Sequence, residues 1–210
     1  MPLQNRVTPF GAIEANLARG NFMGNRGILH GATRELGHRR WAHKNWIICL
    51  TKFRGRHRGI MTPGRYTELF FLDEAVAISA GHRPCYECRR SDYHNWQNAW
   101  QRALGLAETP RAKAMDNALH QNRIDRSNRE NRRWRSAIDE LPNGSFVSIS
   151  GTAHLVLNDR LLPWQHSGYG PPIVRPANTN VTVLTPSLSV ATLRAGFSPH
   201  LHRTALSAQK

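Results

Sequence analysis

The chain has 210 residues, of which 40% are hydrophobic, and it includes six tryptophans and seven phenylalanines. This composition suffices to bury one sizeable core and excludes a largely disordered chain. No apolar run approaches the roughly 18 residues that a membrane helix needs, and the N-terminal residues lack the layout of a secretory signal. We therefore expect a cytoplasmic protein without a membrane span.

The formal net charge is +15 and is unevenly distributed along the chain. Residues 19–58 carry ten Lys or Arg against one acid, residues 111–135 carry eight against three, and residues 136–210 carry only five against three. Cations concentrated on two segments favour a polyanionic partner. Nucleic acid is the first expectation and an anionic membrane surface the second. The alternative is that the positive charge serves only to keep the protein soluble and binds no partner.

The first part of the chain, taken in order, predicts an N-terminal arm over residues 1–19 with one short helix at 12–18. Residues 27–30 could form a short strand. The run KNWIICLTKF at 44–53 is rich in aromatic and β-branched residues and predicts a strand that carries Cys49.

Clear helix signals follow. LFF at 69–71 predicts a short buried strand. Asp73 is a good N-cap for a helix that ends near Ala80, since Gly81 suits the residue that closes a helix and Pro84 prevents continuation. A second helix is predicted over 92–103, with Tyr93, Trp96 and Trp100 on one face.

In the rest of the chain, the sequence predicts basic helices followed by a β-rich part. Residues 106–140 indicate one or two basic helices, and residues 141–210 a β-rich part with a hairpin, a strand at NVTV (180–183) and a short helix from Ser187 to Ala195. We expect an α+β fold in which a module at 20–105 packs with the β-rich C-terminal part.

Three cysteines are too few for a disulfide scaffold. Cys85 and Cys88 form a C-x-x-C knuckle, a spacing that supplies two ligands of a tetrahedral Zn²⁺ site. Cys49 is the natural third ligand, and His30 is the preferred fourth because its segment could pair with the Cys49 strand. The other candidates for the fourth place are His82, His94 and His200.

Two other interpretations of the cysteines stay open. Cys49 could be a buried apolar residue, as free cysteine often is. A thioredoxin-like redox motif is disfavoured, because that motif opens a helix, whereas this C-x-x-C follows one. A zinc-stapled β-hairpin and helix module is the favoured structure.

The segment YTELFFLDEAVAISAGHRPCYECRR, about residues 66–90, resembles the second half of the zinc-binding module of Ada-type DNA alkylation-repair proteins. The matched positions are Ala80, Gly81, Arg83, Pro84, Cys85, Cys88 and Arg89. The resemblance implies a zinc-stabilised module whose arginines lie near a DNA backbone. The family's first cysteine pair, spaced Cys-x-x-x-Cys, has no full counterpart, since Phe53 stands where the second cysteine would be. The family's methyl transfer to a cysteine of a four-cysteine site is therefore not implied.

Arginines near the knuckle and in the basic segments are the candidate contacts to nucleic acid, DNA in preference to RNA. In RRWAHKNW, Trp41 and Trp46 alternate with cations, as in single-strand binders. The favoured alternative is that both are core residues that flank a strand. The selected arginines are Arg54, Arg56, Arg83, Arg89, Arg90, Arg132 and Arg133.

Two further classes of function stay open. Three protein ligands without a clear fourth are typical of a catalytic zinc, so a metal-dependent hydrolase or nuclease is one alternative. An interaction protein whose zinc is purely structural is the other. The acidic residues available to an enzyme are Glu68, Asp73, Glu74, Glu87, Asp92 and Asp116.

Overall fold

The computed structural model describes residues 1–55 and 59–207. The first elements are β1 (Gln4–Val7), β2 (Ile13–Ala15), β3 (Phe22–Asn25), β4 (Ile47–Leu50), β5 (Leu69–Phe71), α1 (Glu74–Ser79), β6 (Arg83–Pro84), α2 (Arg90–Ala103) and α3 (Ala112–Arg123). They are followed by β7 (Trp134–Ala137), a 3-10 helix (Ile138–Glu140), β8 (Phe146–Ile149), β9 (Thr152–Leu157), β10 (Arg160–Gln165), β11 (Gly168–Tyr169), β12 (Ile173–Val174), β13 (Asn180–Val183), α4 (Ser187–Arg194) and α5 (Arg203–Ser207). Helices and strands in separate groups confirm the α+β class.

A six-stranded sheet forms the N-terminal part, in the order β2-β1-β5-β3-β4-β6. β3 is antiparallel to both β4 and β5, whereas β6 runs parallel to β4 and β1 parallel to β5. The predicted N-terminal arm is wrong, because residues 1–19 contribute β1 and β2 to this sheet. The predicted helix at 12–18 is also wrong: Val7 and Ile13 are buried, and pairing with β1 holds 13–15 as a strand.

A second, seven-stranded sheet follows the order β11-β10-β9-β8-β13-β7, and β12 pairs with β10. The predicted hairpin and the strand at 180–183 both lie in it. The main core is shared between the two sheets and the helices between them, since Phe71 and Trp96 belong to the same buried cluster as Phe146 and Phe197. A smaller cluster, which includes Val147 and Val183, lies within the second sheet.

The predicted basic helical segment at 106–140 is only partly helical. α3 covers 112–123, and a bridge between Ile124 and Asn131 then closes a turn-rich loop. Residues 134–137 are strand β7, which pairs with β13, and the Trp134 Nε1–H donates to the Thr185 carbonyl at 2.9 Å. The pairing of β7 with β13 thus overrides the helix that was predicted for these basic residues.

Helix α1 is buried along its whole length, and its ends are as predicted. Asp73 is the N-cap, and its Oδ1 accepts from the Val76 N–H at 3.0 Å. Gly81 has φ +92°, and a Cβ at this position would lie 2.5 Å from Arg123 Cδ, so only glycine fits. No helix in the described ranges has the length and apolar character to cross a membrane.

The second oxygen of Asp73 joins the C-terminal part of the chain to this helix. Asp73 Oδ2 accepts from the Tyr169 hydroxyl at 2.8 Å and from the His202 N–H at 3.0 Å. Burial raises the pKa of Asp73 from 3.8 to about 6, against the opposing effect of these hydrogen bonds.

We expect Asp73→Ala to lower the free energy of unfolding by about 2 kcal/mol, because it removes a helix cap and leaves buried donors unpaired. The native state holds its Asp73 proton more tightly than the unfolded chain does, so this residue's contribution to stability is largest at acidic pH and declines as pH rises from about 4 to about 6. The destabilisation in urea unfolding should therefore be greater at pH 4.5 than at pH 7. The exposed Asp159→Ala control should change the free energy of unfolding by less than about 0.5 kcal/mol at either pH.

Candidate metal centre

The three cysteines converge, with their Sγ atoms all within 4.8 Å of one another. Cys49 lies on β4, and β6 brings the knuckle alongside, since the Cys85 N–H donates to the Ile48 carbonyl at 2.9 Å. The Arg89 N–H donates to the Cys85 carbonyl at 3.1 Å, which folds the knuckle back and places Cys88 beside the other two sulfurs. Three thiol ligands from two chain segments can hold a metal ion.

The sulfurs share their protons unequally. Hydrogen bonds from the Cys49 and Cys88 thiols lower the pKa of Cys85 to about 2, whereas the pKa of Cys49 is raised because its thiol donates to Cys85. Binding of a metal ion would release the thiol protons.

His30 is not brought to this cluster. The strand that pairs with Cys49 is β3, with Met23 opposite Cys49. The expected strand at 27–30 does not form, and His30 makes only an isolated bridge with Leu36. His30 instead bonds through Nδ1 to Thr67 Oγ1 at 2.7 Å and through Nε2 to the Thr62 carbonyl at 3.2 Å. These bonds occupy both of its ring nitrogens.

The other histidines considered for the fourth place also have different surroundings. His82 is buried and hydrogen-bonded to Arg26, His94 contacts Tyr86, and His200 lies near Asp92. Among the described residues, only the three cysteines form the cluster.

Arg83 and Arg89 flank the knuckle but are buried, with 4% of each residue exposed. Arg83 forms a two-pronged ion pair with Asp116, at 2.8 and 2.7 Å. Arg89 pairs with Glu74 and with Asp92. The expectation that these two arginines contact phosphate is therefore wrong: they bind the carboxylates of α1, α2 and α3 and hold the knuckle in place.

The other selected arginines lie at the surface or outside the described ranges. Arg90 and Arg54 are exposed, and their guanidinium groups lie over Tyr86 and Phe53, respectively. Arg132 and Arg133 are exposed on the loop after α3. Arg56 falls outside the described residues.

The two tryptophans of RRWAHKNW have different environments. Trp46 is fully buried between the guanidinium groups of Arg26 and Arg123, whose Cζ atoms lie 4.1 and 3.8 Å from its ring centroid. The core interpretation is thus right for Trp46. Trp41 is half-buried and keeps part of its ring accessible.

A cavity of about 390 Å³ adjoins the three sulfurs. The sequence did not predict that its other lining residues lie together. The only signal in the sequence was the alternation of ELFF, which sends Glu68 and Phe70 to one face of β5 and Leu69 and Phe71 to the other. The residues that line the cavity besides the cysteines include Met23, Asn25, Ile47, Phe53, Ile60, Tyr66, Glu68, Phe70 and Glu87.

Comparison of the chain with protein-family models, with curated proteins and with solved structures gave no match.

We expect the purified protein to contain one divalent metal ion per chain, since three convergent thiols form a preassembled site. Cys85→Ser should abolish this content. All three cysteines of the chain belong to the cluster, so no cysteine elsewhere can serve as a Cys→Ser control. The matched control is therefore Ser79→Ala, a buried change on α1 away from the sulfurs. Elemental mass spectrometry on untagged protein is the measurement. Metal-free, well-folded wild-type protein would contradict the expectation.

We expect Asp116→Ala to lower the free energy of unfolding by about 3–5 kcal/mol, because it leaves the Arg83 guanidinium buried without its carboxylate. The double variant Arg83→Met/Asp116→Leu should recover most of this loss, because both charges are removed together. Urea unfolding followed by circular dichroism measures both. If Asp116→Ala is as stable as the wild type, the pair does not anchor the knuckle.

Proposed function

We propose that the protein is a zinc-containing nucleic-acid-binding protein, with DNA as the preferred partner over RNA and a role in repair or modification. Zinc is the proposed metal because clusters of thiolates bind Zn²⁺ well and because Zn²⁺ is not redox-active. The Ada-type resemblance of residues 66–90 is the reason to place DNA before RNA.

One observation carries the nucleic-acid part of this proposal. The two basic segments of the chain meet at a cavity of about 250 Å³, together with the loop after β1. Arg40 and Trp41 come from the first segment, Arg129 and Arg133 from the second, and Phe10 from the loop. Segments about 90 residues apart in sequence thus place cations and aromatic rings around one opening.

The cations and rings of this cavity, which we call the aromatic–arginine pocket, are paired. The Arg133 guanidinium lies 5.2 Å from the centroid of Phe10, and that of Arg129 lies 5.6 Å from the centroid of Trp41. Both arginines are exposed and both rings are half-buried. Rings beside exposed cations suit single-stranded nucleic acid, because bases stack on the rings while guanidinium groups neutralise phosphates.

A buried cation beneath the pocket adds to its positive potential. Arg26 lines the pocket and is fully buried, which lowers its pKa to about 9, so it keeps its charge at neutral pH. Within the described residues its hydrogen-bond partners are His82 and the carbonyls of Gly11 and Ala80, and none of these is a carboxylate. Its charge is therefore available to attract anions.

We expect Trp41→Ala to weaken binding of a labelled single-stranded DNA about tenfold, because one stacking platform is lost. Arg129→Ala and Arg133→Ala should each reduce the slope of log affinity against log salt by about 0.7, because each removes one phosphate contact. Fluorescence anisotropy from 50 to 300 mM salt measures both effects.

The matched control is Arg160→Ala, which removes an exposed arginine of the second sheet. It should leave both affinity and slope near the wild-type values. Equal weakening by Arg160→Ala and Arg129→Ala would show that net charge alone attracts the DNA, which would contradict a site at the aromatic–arginine pocket. A matched RNA probe decides the preference for DNA.

A further inference from the structure

The cavity beside the cysteines is built on the outer face of the first sheet. Alternate residues of three adjacent strands form its floor, while the neighbours of these residues face the main core. The strand register places Cys49 opposite Met23 and Met23 opposite Phe70. The floor residues are Glu68 and Phe70 beside β3, Met23 and Asn25 on β3, and Ile47 and Cys49 on β4.

The metal centre opens into this cavity. A tetrahedral ion needs four ligands, and the described residues supply three, Cys49, Cys85 and Cys88. All three cysteines line the cavity, so the remaining coordination position is accessible from it. Structural zinc sites are closed by a fourth protein ligand, whereas catalytic sites keep such a position open.

Glu68 is a carboxylate of the cavity, and one of its oxygens accepts no hydrogen bond from the described residues. The residue is only 3% exposed, and its Oε2 accepts from the Met61 N–H at 2.7 Å. Its Oε1 is buried and has no hydrogen-bond partner among the described residues. A buried carboxylate oxygen without a donor is costly, and a ligand in the cavity that donates a hydrogen bond would remove that cost.

Among the described residues, the charge of the site selects against anionic substrates. Three thiolates around a divalent ion carry a net charge of −1, and the Glu68 carboxylate adds another negative charge. A phosphate group would therefore be repelled. Much of the remaining lining is aromatic or aliphatic, with Phe53, Ile60 and Phe70, and Asn25 offers an amide for hydrogen bonding. A flat, uncharged molecule fits this lining, and a volume of about 390 Å³ is at the small end of ligand sites.

We propose that this cavity is a hydrolytic site for a neutral, planar amidine or amide of nucleobase size, with Glu68 as the proton carrier. Oxygen of a water molecule bonds to the substrate carbon, and the carbon–nitrogen bond then breaks. Glu68 accepts a proton from the water and returns it to the leaving nitrogen, so that ammonia or an amine departs and a carbonyl group remains. A metal ion bound by the cysteines supplies the Lewis acidity for this reaction. The inference goes beyond nucleic-acid binding and does not depend on it.

The first test measures ligand binding at the fourth coordination position of the metal and needs no enzymatic activity. Cobalt(II) replaces the native metal, and its visible absorption bands report changes in coordination when azide or imidazole is added. We expect both probes to shift the bands of the wild-type protein. Glu68→Gln should raise azide affinity by about tenfold, because one nearby negative charge is lost, and should change imidazole affinity by less than about threefold. This variant retains an acceptor for the Met61 N–H, and the exposed Glu108→Gln is the matched control.

Either of two results in this test overturns the proposal. Bands that respond to neither probe would show that a fourth protein ligand closes the site. An azide affinity that is equal in the wild type, Glu68→Gln and Glu108→Gln would show that Glu68 does not face the open position.

The second test addresses the substrate class. Zinc-loaded protein is incubated with cytosine, adenine and guanine and with their nucleosides, and ammonia release is measured. We expect release from at least one of these compounds, reduced at least about 100-fold by Glu68→Gln and unchanged by Glu108→Gln. Release from none of them would reject the substrate class. Ammonia release from free bases and nucleosides and the anisotropy of labelled DNA are measured separately on the wild-type protein, so failure of the aromatic–arginine pocket and failure of the hydrolytic site are distinguishable.

Discussion

The burial of α1 is the constraint on which the rest of the structure depends. This helix of six residues has no exposed face, and it begins with two carboxylates, Asp73 and Glu74, in the core. Buried carboxylates must be satisfied by donors, and these donors come from distant segments. Tyr169 and the His202 N–H bind Asp73, while Arg89 and the His200 N–H bind Glu74. The hydrogen bonds and ion pairs to these two carboxylates thus fix the C-terminal segment and the start of α2.

The same pairs shape the metal centre. Arg89 directly follows Cys88, so its bond to Glu74 ties the knuckle to α1, and Arg83, two residues before Cys85, ties the other side to α3 through Asp116. Besides the pairing of β6 with β4, the convergence of the sulfurs depends on these two ion pairs. Their charged groups are removed from solvent, where such pairs require well-matched geometry.

The two faces of the first sheet have separate roles. The inner face supplies Leu69 and Phe71 to the core, and the outer face supplies Glu68, Met23 and Cys49 to the cavity. The aromatic–arginine pocket is formed elsewhere, where the loop after α3 meets the loops after β1 and β3. If both proposals hold, the cavity beside the cysteines and the aromatic–arginine pocket would act on different parts of one nucleic acid, an uncharged base and the phosphate backbone.

The sequence by itself determined the features that depend on neighbouring residues. The Asp73 cap, the end of α1 at Gly81, the buried face of α2 and the pairing of Cys85 with Cys88 follow from local chemistry and periodicity, and all are present. Only the tertiary structure decided which cations are accessible, because burial of Arg83 and Arg89 depends on carboxylates 15 to 33 residues away. It likewise decided that β3, and not the His30 segment, lies beside Cys49, since strand register is set by packing of a whole sheet face. The sequence placed Glu68 among the acids available to an enzyme, but only the pairing of β5 with β3 set it in one cavity with the three cysteines.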